Sequence, residues 1–273
     1  MHLYSDQFSS SHDFTVVEKP SKVLIIASTA RSGSHMLGHS LYQTGEFGFP
    51  LEYANPANVA EWKKRFNKKD FYSTLKEIQK RRTSENGVFS IKIHYPHIKM
   101  FGDFKSLIHL FPDAYFVLLS RKNVLKQAVS LSMAKKTGVW IAGQKPTNEN
   151  PEYSFNHIDR CLRDTILNNA SWRYTLAANG CNYIEMDFEA ICQDLGGSIK
   201  RIADFMSVEI DQNRLPNQPP TRKQESIKKR DWMERFLLES DSSVELLNTS
   251  DISFFKRIKR KLSAYLNPSD NFN

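Results

Sequence analysis

The sequence predicts an α/β protein with a central, mostly parallel sheet that helices cover on both faces. Short, continuous apolar runs alternate along the chain with longer stretches of helical periodicity, which is typical of buried parallel strands joined by helices. A composition of 40% hydrophobic and 12% aromatic residues is sufficient for a large core. We therefore expect a single domain over residues 1–273.

Four apolar runs are predicted to be the strands of this sheet. The first, 23–28, is rich in β-branched residues and carries no charge, as expected for a strand buried on both faces. The other three are short runs at 88–93, 114–120 and 183–186, of which the first and the last each contain one charged residue, Lys92 and Glu185. Because the stretches between them are long, parallel crossovers are expected.

Helices are predicted at 34–43, with Gly45 at the C-cap, and at 60–82, 124–136 and 157–178, with a further helix that runs through Met206. Residues 1–20 are expected to be a loose arm that ends at Pro20. Two polar, proline-containing stretches, 141–154 and 213–226, are predicted to be lids or binding loops, since long irregular segments are uncommon in compact domains.

Charge and cysteine content restrict the partners and the compartment. The formal net charge is +8, which favours anionic ligands such as nucleotides and sulfated or phosphorylated groups. Cys161, Cys181 and Cys192 form no CxxC pair, as is common in a reducing compartment. The first 19 residues lack an apolar signal core, and no run approaches the roughly 20 apolar residues of a membrane span. These features predict a cytoplasmic protein.

The loop between the first strand and the first helix is predicted to bind an anion. It contains Arg31, Ser32, Gly33 and Ser34, followed by His35. Small residues let a ligand approach the backbone, the N–H groups at a helix N-terminus attract anions, and a guanidinium adds a fork of donors. The loop lacks the lysine and the first glycine of a G-x-x-x-x-G-K-[ST] phosphate loop, which disfavours an ATP-using enzyme.

A second strand-to-helix turn carries further basic residues. Arg121 follows the third strand directly, and Ser130 lies about two helical turns beyond that turn. Because parallel strands end at one edge of a sheet, Arg121 is expected on the same side as Arg31. An arginine and a serine placed in this way predict a second phosphate site, remote from the first.

These motifs resemble the bacterial carbohydrate sulfotransferases typified by the mycobacterial trehalose 2-sulfotransferase. The segment from Arg31 to Ser34 resembles their 5′-phosphosulfate loop, and Arg121 with Ser130 resembles their 3′-phosphate site. The order and spacing of several further stretches between about residues 22 and 240 also agree, at 45–53, 127–130, 137–140, 172–173, 186–187, 223–224 and Trp232.

The resemblance implies a P-loop-like, three-layer fold and the donor 3′-phosphoadenosine 5′-phosphosulfate (PAPS), without a metal. It places Arg31, Ser32, Gly33, Ser34 and His35 around the 5′ phosphosulfate. It places Arg121 and Ser130 at the 3′ phosphate. A basic C-terminal loop closes over the cofactor in the family, and its candidates in this chain are Lys223, Lys228, Lys229 and Arg230.

Two residues compete for the role of general base, which should help a hydroxyl of high pKa to attack. Glu52 matches the catalytic glutamate of the family's Pro-x-Glu motif, whereas His94 resembles the base of the animal cytosolic sulfotransferases. An imidazole titrates near neutral pH, which suits that role. Lys92 stands where both groups of enzymes have a lysine and is a candidate for contact with the transferring sulfuryl group.

The acceptor implied by the resemblance is a carbohydrate or a glycolipid. Phe49 replaces the acidic residue that holds the disaccharide in the family, which disfavours trehalose, although an aromatic ring can stack on a sugar. Trp140, Tyr153 and His157 are further candidates for the acceptor pocket. The tail at 251–273 is predicted to be a basic amphipathic helix that suits an anionic membrane surface, and the resemblance suggests a homodimer.

Three alternatives remain open from the sequence alone. An ATP-dependent kinase would need the missing phosphate-loop lysine. A non-catalytic nucleic-acid-binding protein is compatible with the sequence pI of about 9.3, but the sequence has no RRM or zinc-finger pattern. A sulfotransferase-like protein that only binds its ligand would not need the retained candidate bases.

Overall fold

The computed structural model describes residues 5–216, 218 and 227–240. The chain divides into two compact units, the first ending at Phe236 and the second running from Leu237 to Asn273. Residues 237–240 are the described part of the second unit, and they are exposed. The predicted tail helix at 251–273 and Lys223 lie outside the described residues.

The first unit contains a four-stranded sheet in which every pairing is parallel. The strands have the spatial order β2-β1-β3-β4, so the predicted α/β class is confirmed. All four predicted runs form strands, with ends that differ by one residue at most. Their bounds are Lys22–Ser28 for β1, Val88–His94 for β2, Tyr115–Ser120 for β3 and Tyr183–Asp187 for β4.

Nine α-helices lie in the described part of the chain: α1 Ser34–Thr44, α2 Pro56–Phe66, α3 Phe71–Arg82, α4 Phe104–Leu110, α5 Val124–Thr137, α6 Phe155–Ala178, α7 Phe188–Gln193, α8 Leu195–Met206 and α9 Ile227–Glu239. A 3-10 helix follows β2 at Tyr95–Phe101. Gly45 has a φ of 80° and ends α1, as the sequence predicts.

Two of the predicted helices are each divided in two. The predicted helix at 60–82 was wrong as a single element, because Asn67 adopts a left-handed conformation that ends α2, and the side chain of Asp70 caps α3. The helix expected to run through Met206 is likewise α7 and α8. Asp194 separates them and caps α8 through its side chain.

The core lies in two layers, one on each face of the sheet. Along β1, Ile25 and Ala27 pack on one face together with α2, α3 and α6, whereas Leu24 and Ile26 pack on the other face together with α1 and α8. This alternation follows the period of two of a strand, and burial of both faces explains why β1 is continuously apolar. Helix, sheet and helix form the predicted three layers.

The strand order creates a crevice at the carboxyl end of β1. The chain passes from β1 to β2 on one side and then crosses to β3 on the other side. In open parallel sheets, ligands bind at such a point because the loops diverge there. The segments that follow β1, β2 and β3 therefore converge on one edge of the sheet.

The N-terminal arm was predicted to be loose, but residues 5–13 are held by Arg82, whose side chain is fully buried. Its guanidinium donates to the carbonyls of Gln7, Ser9 and His12 at 3.0, 2.8 and 3.2 Å, and Nε lies 3.1 Å from Oδ1 of Asp13. The expectation of a loose segment is therefore corrected for these residues. The sequence places Arg82 at the end of a polar helix, which does not predict that its side chain is buried.

None of the helices in the described ranges combines the length and the apolar composition that a membrane crossing requires.

Replacing Arg82 by Met should lower the free energy of unfolding in urea by roughly 3 kcal/mol, because breaking a buried ion pair costs about 3–5 kcal/mol. Lys64→Met is the matched control, since Lys64 forms an exposed ion pair with Glu61 on α2 and such pairs contribute about 0–1 kcal/mol. Equal unfolding energies for the two variants would show that Arg82 does not hold the arm.

Candidate active site

The loop at 29–33, between β1 and α1, has the features of an anion cradle. Side chains cap α2 to α8, but in the described residues no side chain caps α1. Gly33 precedes α1 with a φ of 93°, and a Cβ there would overlap the ring of Phe188. Ser32 and Ser34 are buried beside it. The first N–H groups of α1 are therefore available to a ligand.

Two side chains behind this loop, those of Gln127 and Trp172, hold it through hydrogen bonds. Gln127 Nε2 donates to Thr29 Oγ1 at 2.9 Å and to the Ala30 carbonyl at 2.8 Å. Trp172 Nε1 donates to the carbonyl of Ser28 at 3.0 Å. These residues come from α5 and α6, so sequence reasoning on the loop alone could not assign them this role.

Arg31 extends from the cradle toward α5. It has a φ of 65°, and its Nε donates to Ser130 Oγ at 3.1 Å, while Nη1 donates to the carbonyl of Trp140. Burial, together with the positive charge of Arg121, lowers the pKa of Arg31 to about 10. The guanidinium therefore stays charged at neutral pH in a site that disfavours the charge.

Arg121 completes the group at the end of β3. Its Nη1 donates to the carbonyl of Arg31 at 3.2 Å, and its guanidinium lies over the ring of Phe188, 4.4 Å from the centroid. Its Nε is 3.6 Å from a carboxylate oxygen of Glu189. The structure thus brings Arg31, Arg121 and Ser130 together across the crevice between β1 and β3.

The C-terminal cations do not lie in a loop as predicted. Lys228, Lys229 and Arg230 belong to the first turn of α9, where the helix dipole disfavours positive charge. This helix packs through Trp232 and Phe236 against a cluster that includes Val129. The helix that carries these three cations therefore contacts α5 next to Ser130. The expectation of a basic loop is corrected for these three residues.

A buried ion pair lies at the end of β2. Nζ of Lys92 is 3.0 Å from Oε1 of Glu52, and the Lys92 side chain is 4% exposed. Glu52 is placed by the backbone before it, because the N–H of Lys92 donates to the carbonyl of Leu51 at 2.9 Å. Asn55 Nδ2 donates to Oε2 of the same carboxylate at 2.9 Å. The two oxygens of Glu52 therefore have different partners.

Opposing effects determine the pKa of Glu52. Burial raises it, but the ammonium of Lys92, with smaller contributions from His94 and the hydrogen bond from Asn55, outweighs burial and holds the pKa well below its ordinary value. The carboxylate is ionised at neutral pH. The strength of this carboxylate as a base depends on whether the Lys92 ammonium lies against it, because the ammonium lowers its pKa.

Two histidines lie beside this carboxylate. Nε2 of His94 is 3.7 Å from Oε1 of Glu52, and the ring of His97 stacks on that of His94 with centroids 5.3 Å apart. Burial lowers the pKa of His94 to about 4 and also lowers the pKa of His97, against the raising effect of Glu52. Both rings are neutral at pH 7. The sequence analysis missed His97, although the spacing His94-x-x-His97 was a signal.

His35 and Phe49 do not have the environments expected of them. Burial lowers the pKa of His35 to about 2, and its ring lies against that of His39 with centroids 4.2 Å apart. Its ring is therefore uncharged, so it could contact an anion through a hydrogen bond from a ring N–H or the backbone N–H but not through an ion pair. Phe49 is fully buried and stacks on Tyr42 at 4.0 Å. Its predicted contact with the acceptor was wrong, because the ring belongs to the core.

The remaining acceptor candidates occupy the α5 to α6 side of the molecule. Trp140 is partly buried beside Cys161 and touches the cradle through its carbonyl. Tyr153 packs edge to face on Trp232, and Nδ1 of His157 lies 2.7 Å from Ser132 Oγ. The contacts of Tyr153 and His157 are with helices, whereas Trp140 adjoins the donor side.

The parallel sheet and the cradle, which lacks the phosphate-loop lysine, define a protein of the P-loop-like α/β class. The chain belongs to the Stf0 sulphotransferase family, whose sequence profile matches residues 23–239. It is therefore a sulfotransferase, as the resemblance of its motifs implies. No curated protein sequence matches the chain.

Several solved structures are similar to the chain at low identity. The sulfotransferase domain of the Synechococcus PCC 7002 olefin synthase has 13% identity and a TM-score of 0.46, with 91% of this chain and 96% of that chain covered. Sulfotransferase STF9 from Mycobacterium avium has 13% identity and a TM-score of 0.43, over 93% and 78%. Mouse sulfotransferase SULT7A1, complexed with PAP, has 13% and 0.42, over 96% and 88%.

Replacing Lys92 by Met should raise the pKa of Glu52, because burial then acts without the opposing ammonium. In the unaltered protein the depressed pKa stabilises the fold above the unfolded value of about 4.5, and this contribution is lost as the pH falls through the folded pKa. In the variant the sign reverses, so stability declines as the pH rises. Urea unfolding between about pH 3 and pH 8 follows both changes.

The double variant Lys92→Met/Glu52→Gln is the control for this prediction. It lacks the carboxyl that titrates at position 52. Its free energy of unfolding should therefore not show the decline with rising pH that is expected of Lys92→Met. A Lys92→Met variant whose stability keeps the pH profile of the unaltered protein would contradict the assignment of Lys92 as the group that ionises Glu52.

Proposed function

We propose that this sulfotransferase uses PAPS as its donor and transfers the sulfuryl group to a hydroxyl of a carbohydrate or glycolipid. The observation that carries the proposal is the pair of partly buried guanidiniums at the ends of β1 and β3. Arg121 donates to the backbone of Arg31, and burial together with the charge of Arg121 lowers the pKa of the Arg31 guanidinium. Such a pair is stabilised by a ligand that brings negative charge.

PAPS fits this arrangement because its anionic groups are divided between two ends of the molecule. The N–H groups around Ser32 to Ser34 would hold the 5′ phosphosulfate at the uncapped start of α1. Arg121 and Ser130 would hold the 3′ phosphate, with the cations in the first turn of α9 supporting it. An anion there would also offset the unfavourable position of those cations relative to the helix dipole.

Lys92 and Glu52 supply the groups that sulfuryl transfer requires, since the leaving oxygen gains charge and the attacking hydroxyl loses a proton. Lys92 donates to the carboxylate of Glu52 in the structure. If the ammonium turns to a sulfuryl or bridging oxygen, it stabilises the charge that develops there. Burial then raises the pKa of Glu52, so the carboxylate becomes a stronger base at the moment when a base is needed.

His94 is the second candidate base, and the structure gives it a specific advantage. Its ring is neutral at pH 7 because burial lowers its pKa, and Nε2 has no hydrogen-bonding partner in the described residues. We assign proton abstraction to Glu52 and orientation of the acceptor hydroxyl to His94. The rings of His94 and His97 and the carboxylate of Glu52 offer several polar contacts, as a sugar would require.

Three features of this function come from the sequence and concern residues or partners outside the described structure. Lys223 is proposed to join the cations of α9 around the donor. The basic tail at 251–273 is proposed to contact an anionic membrane surface, which would suit a glycolipid acceptor and a cytoplasmic protein. We also propose that the protein forms a homodimer and that it does not bind nucleic acid.

Adenosine 3′,5′-bisphosphate, the product of the donor, should raise the thermal midpoint by about 5 °C at roughly one hundred times its Kd, whereas Mg-ATP should have little effect. Arg121→Leu should lose most of this shift. Arg201→Leu, which removes an exposed arginine of α8, is the control and should keep it. Stabilisation by Mg-ATP alone would contradict PAPS as the donor and favour a kinase.

Glu52→Gln should lower kcat by about 10²–10⁴-fold, the range for loss of a general base, and leave the affinity for adenosine 3′,5′-bisphosphate within about threefold. Release of that product in the presence of an acceptor measures the rate. Glu61→Gln, on α2, is the matched control. His94→Asn should chiefly raise the KM for the acceptor. Full turnover of Glu52→Gln with complete loss in His94→Asn would reverse the two roles.

A further inference from the structure

Glu52, His94 and His97 form a cluster of three potential metal ligands. One ligand atom from each residue can be chosen so that all three lie within 4.8 Å of one another. The residues come from the loop before α2, from the end of β2 and from the 3-10 helix that follows β2. Three separate segments of the backbone therefore bring these donors together.

The two imidazoles have ligand atoms that the surrounding protein does not use. His94 Nε2 and His97 Nδ1 are buried and have no hydrogen-bonding partner in the part of the chain that the structure describes. A buried polar atom without a partner costs about 1–3 kcal/mol.

We propose that Glu52, His94 and His97 bind one transition-metal ion of the Zn²⁺ type, and that this ion inhibits sulfuryl transfer. Two imidazole nitrogens and one carboxylate match the donor preference of Zn²⁺ and leave a fourth position for water. Mg²⁺ and Ca²⁺ prefer oxygen ligands and are disfavoured here. The hydrogen bond from Asn55 to Oε2 orients the carboxylate, as outer partners of metal ligands do.

Lys92 competes with the metal for Glu52. Its Nζ lies 3.0 Å from Oε1, the same oxygen that is 3.7 Å from His94 Nε2. A divalent cation bound at that oxygen would be repelled by the ammonium, so the ion and the Lys92–Glu52 pair exclude each other. Lys92 thus weakens the site and keeps Glu52 available in the absence of metal.

The inhibitory effect rests on the proposed function, whereas binding of the ion does not. Both candidate bases, Glu52 and His94, would donate their lone pairs to the metal. Whichever of them accepts the proton of the acceptor hydroxyl, the bound ion removes it from that role. The ion also occupies the space next to Lys92 that the transferring group requires.

Competition between the full-length protein and a chromophoric chelator for Zn²⁺ at pH 7.5 tests binding without an activity assay. We expect one ion per chain. His97→Gln and His94→Gln should each bind it at least about tenfold more weakly. His109→Gln, which removes an exposed histidine of α4, should bind as the unaltered protein does.

Co²⁺ in place of Zn²⁺ separates this site from the cysteines. Nitrogen and oxygen ligands give d–d absorption bands without a thiolate charge-transfer band, whereas binding at exposed Cys192 would give that band. The proposal is overturned if no ion binds, if the thiolate band dominates, or if His97→Gln and His94→Gln both bind like the His109→Gln control. Melting curves identify any variant that fails to fold, and the other histidine variant then decides.

The activity arm uses the ratio of turnover with and without Zn²⁺. Inhibition should follow occupancy of the site in the unaltered protein and in His109→Gln, and the zinc concentration for half inhibition should rise at least about tenfold in His97→Gln. Binding without inhibition would overturn the inhibitory role alone. Absence of any turnover, with zinc bound, would count against the proposed function and leave the metal site standing.

Discussion

The position of β1 between two parallel neighbours is the constraint on which the site depends. Ser28, the last residue of β1, is opposite His94 in β2 and Leu119 in β3. This register brings the three carboxyl ends to one edge of the sheet. The cradle at 29–33, the Lys92–Glu52 pair and Arg121 consequently converge, although they are far apart in sequence. Side chains from α5 and α6 then fix the cradle backbone.

Charged side chains are concentrated in this crevice, although burial disfavours their charged forms. The pKa of Arg31 is lowered by burial and by Arg121, while Lys92 is almost fully buried against a single carboxylate. Groups of this kind are pre-organised for charge that arrives with a ligand or develops during reaction, because the cost of desolvating them is met when the protein folds. The same balance links the proposed donor site to the proposed base, since the ammonium of Lys92 lowers the pKa of Glu52.

Local sequence signals predicted the parts of the structure that are determined locally. The four apolar runs became strands because burial on both faces requires such composition, and the small residues of the cradle were recognisable without tertiary information. The division between α2 and α3 was missed, since it depends on a left-handed Asn67 within a polar stretch. Phe49 was misplaced because the prediction rested on its position in the family's motif, three residues before Glu52, whereas its ring packs in the core.

His97 shows most clearly what sequence reasoning did not predict. The contact of its ring with that of His94 depends on the 3-10 helix that follows β2. The central claim, that the crevice transfers sulfuryl groups, is tested most directly with sulfur-labelled PAPS and a panel of sugars and glycolipids. We expect label to appear on a hydroxyl acceptor, with one adenosine 3′,5′-bisphosphate released for each label transferred. Release of that nucleotide without label on any acceptor, or no consumption of PAPS at all, would contradict the claim.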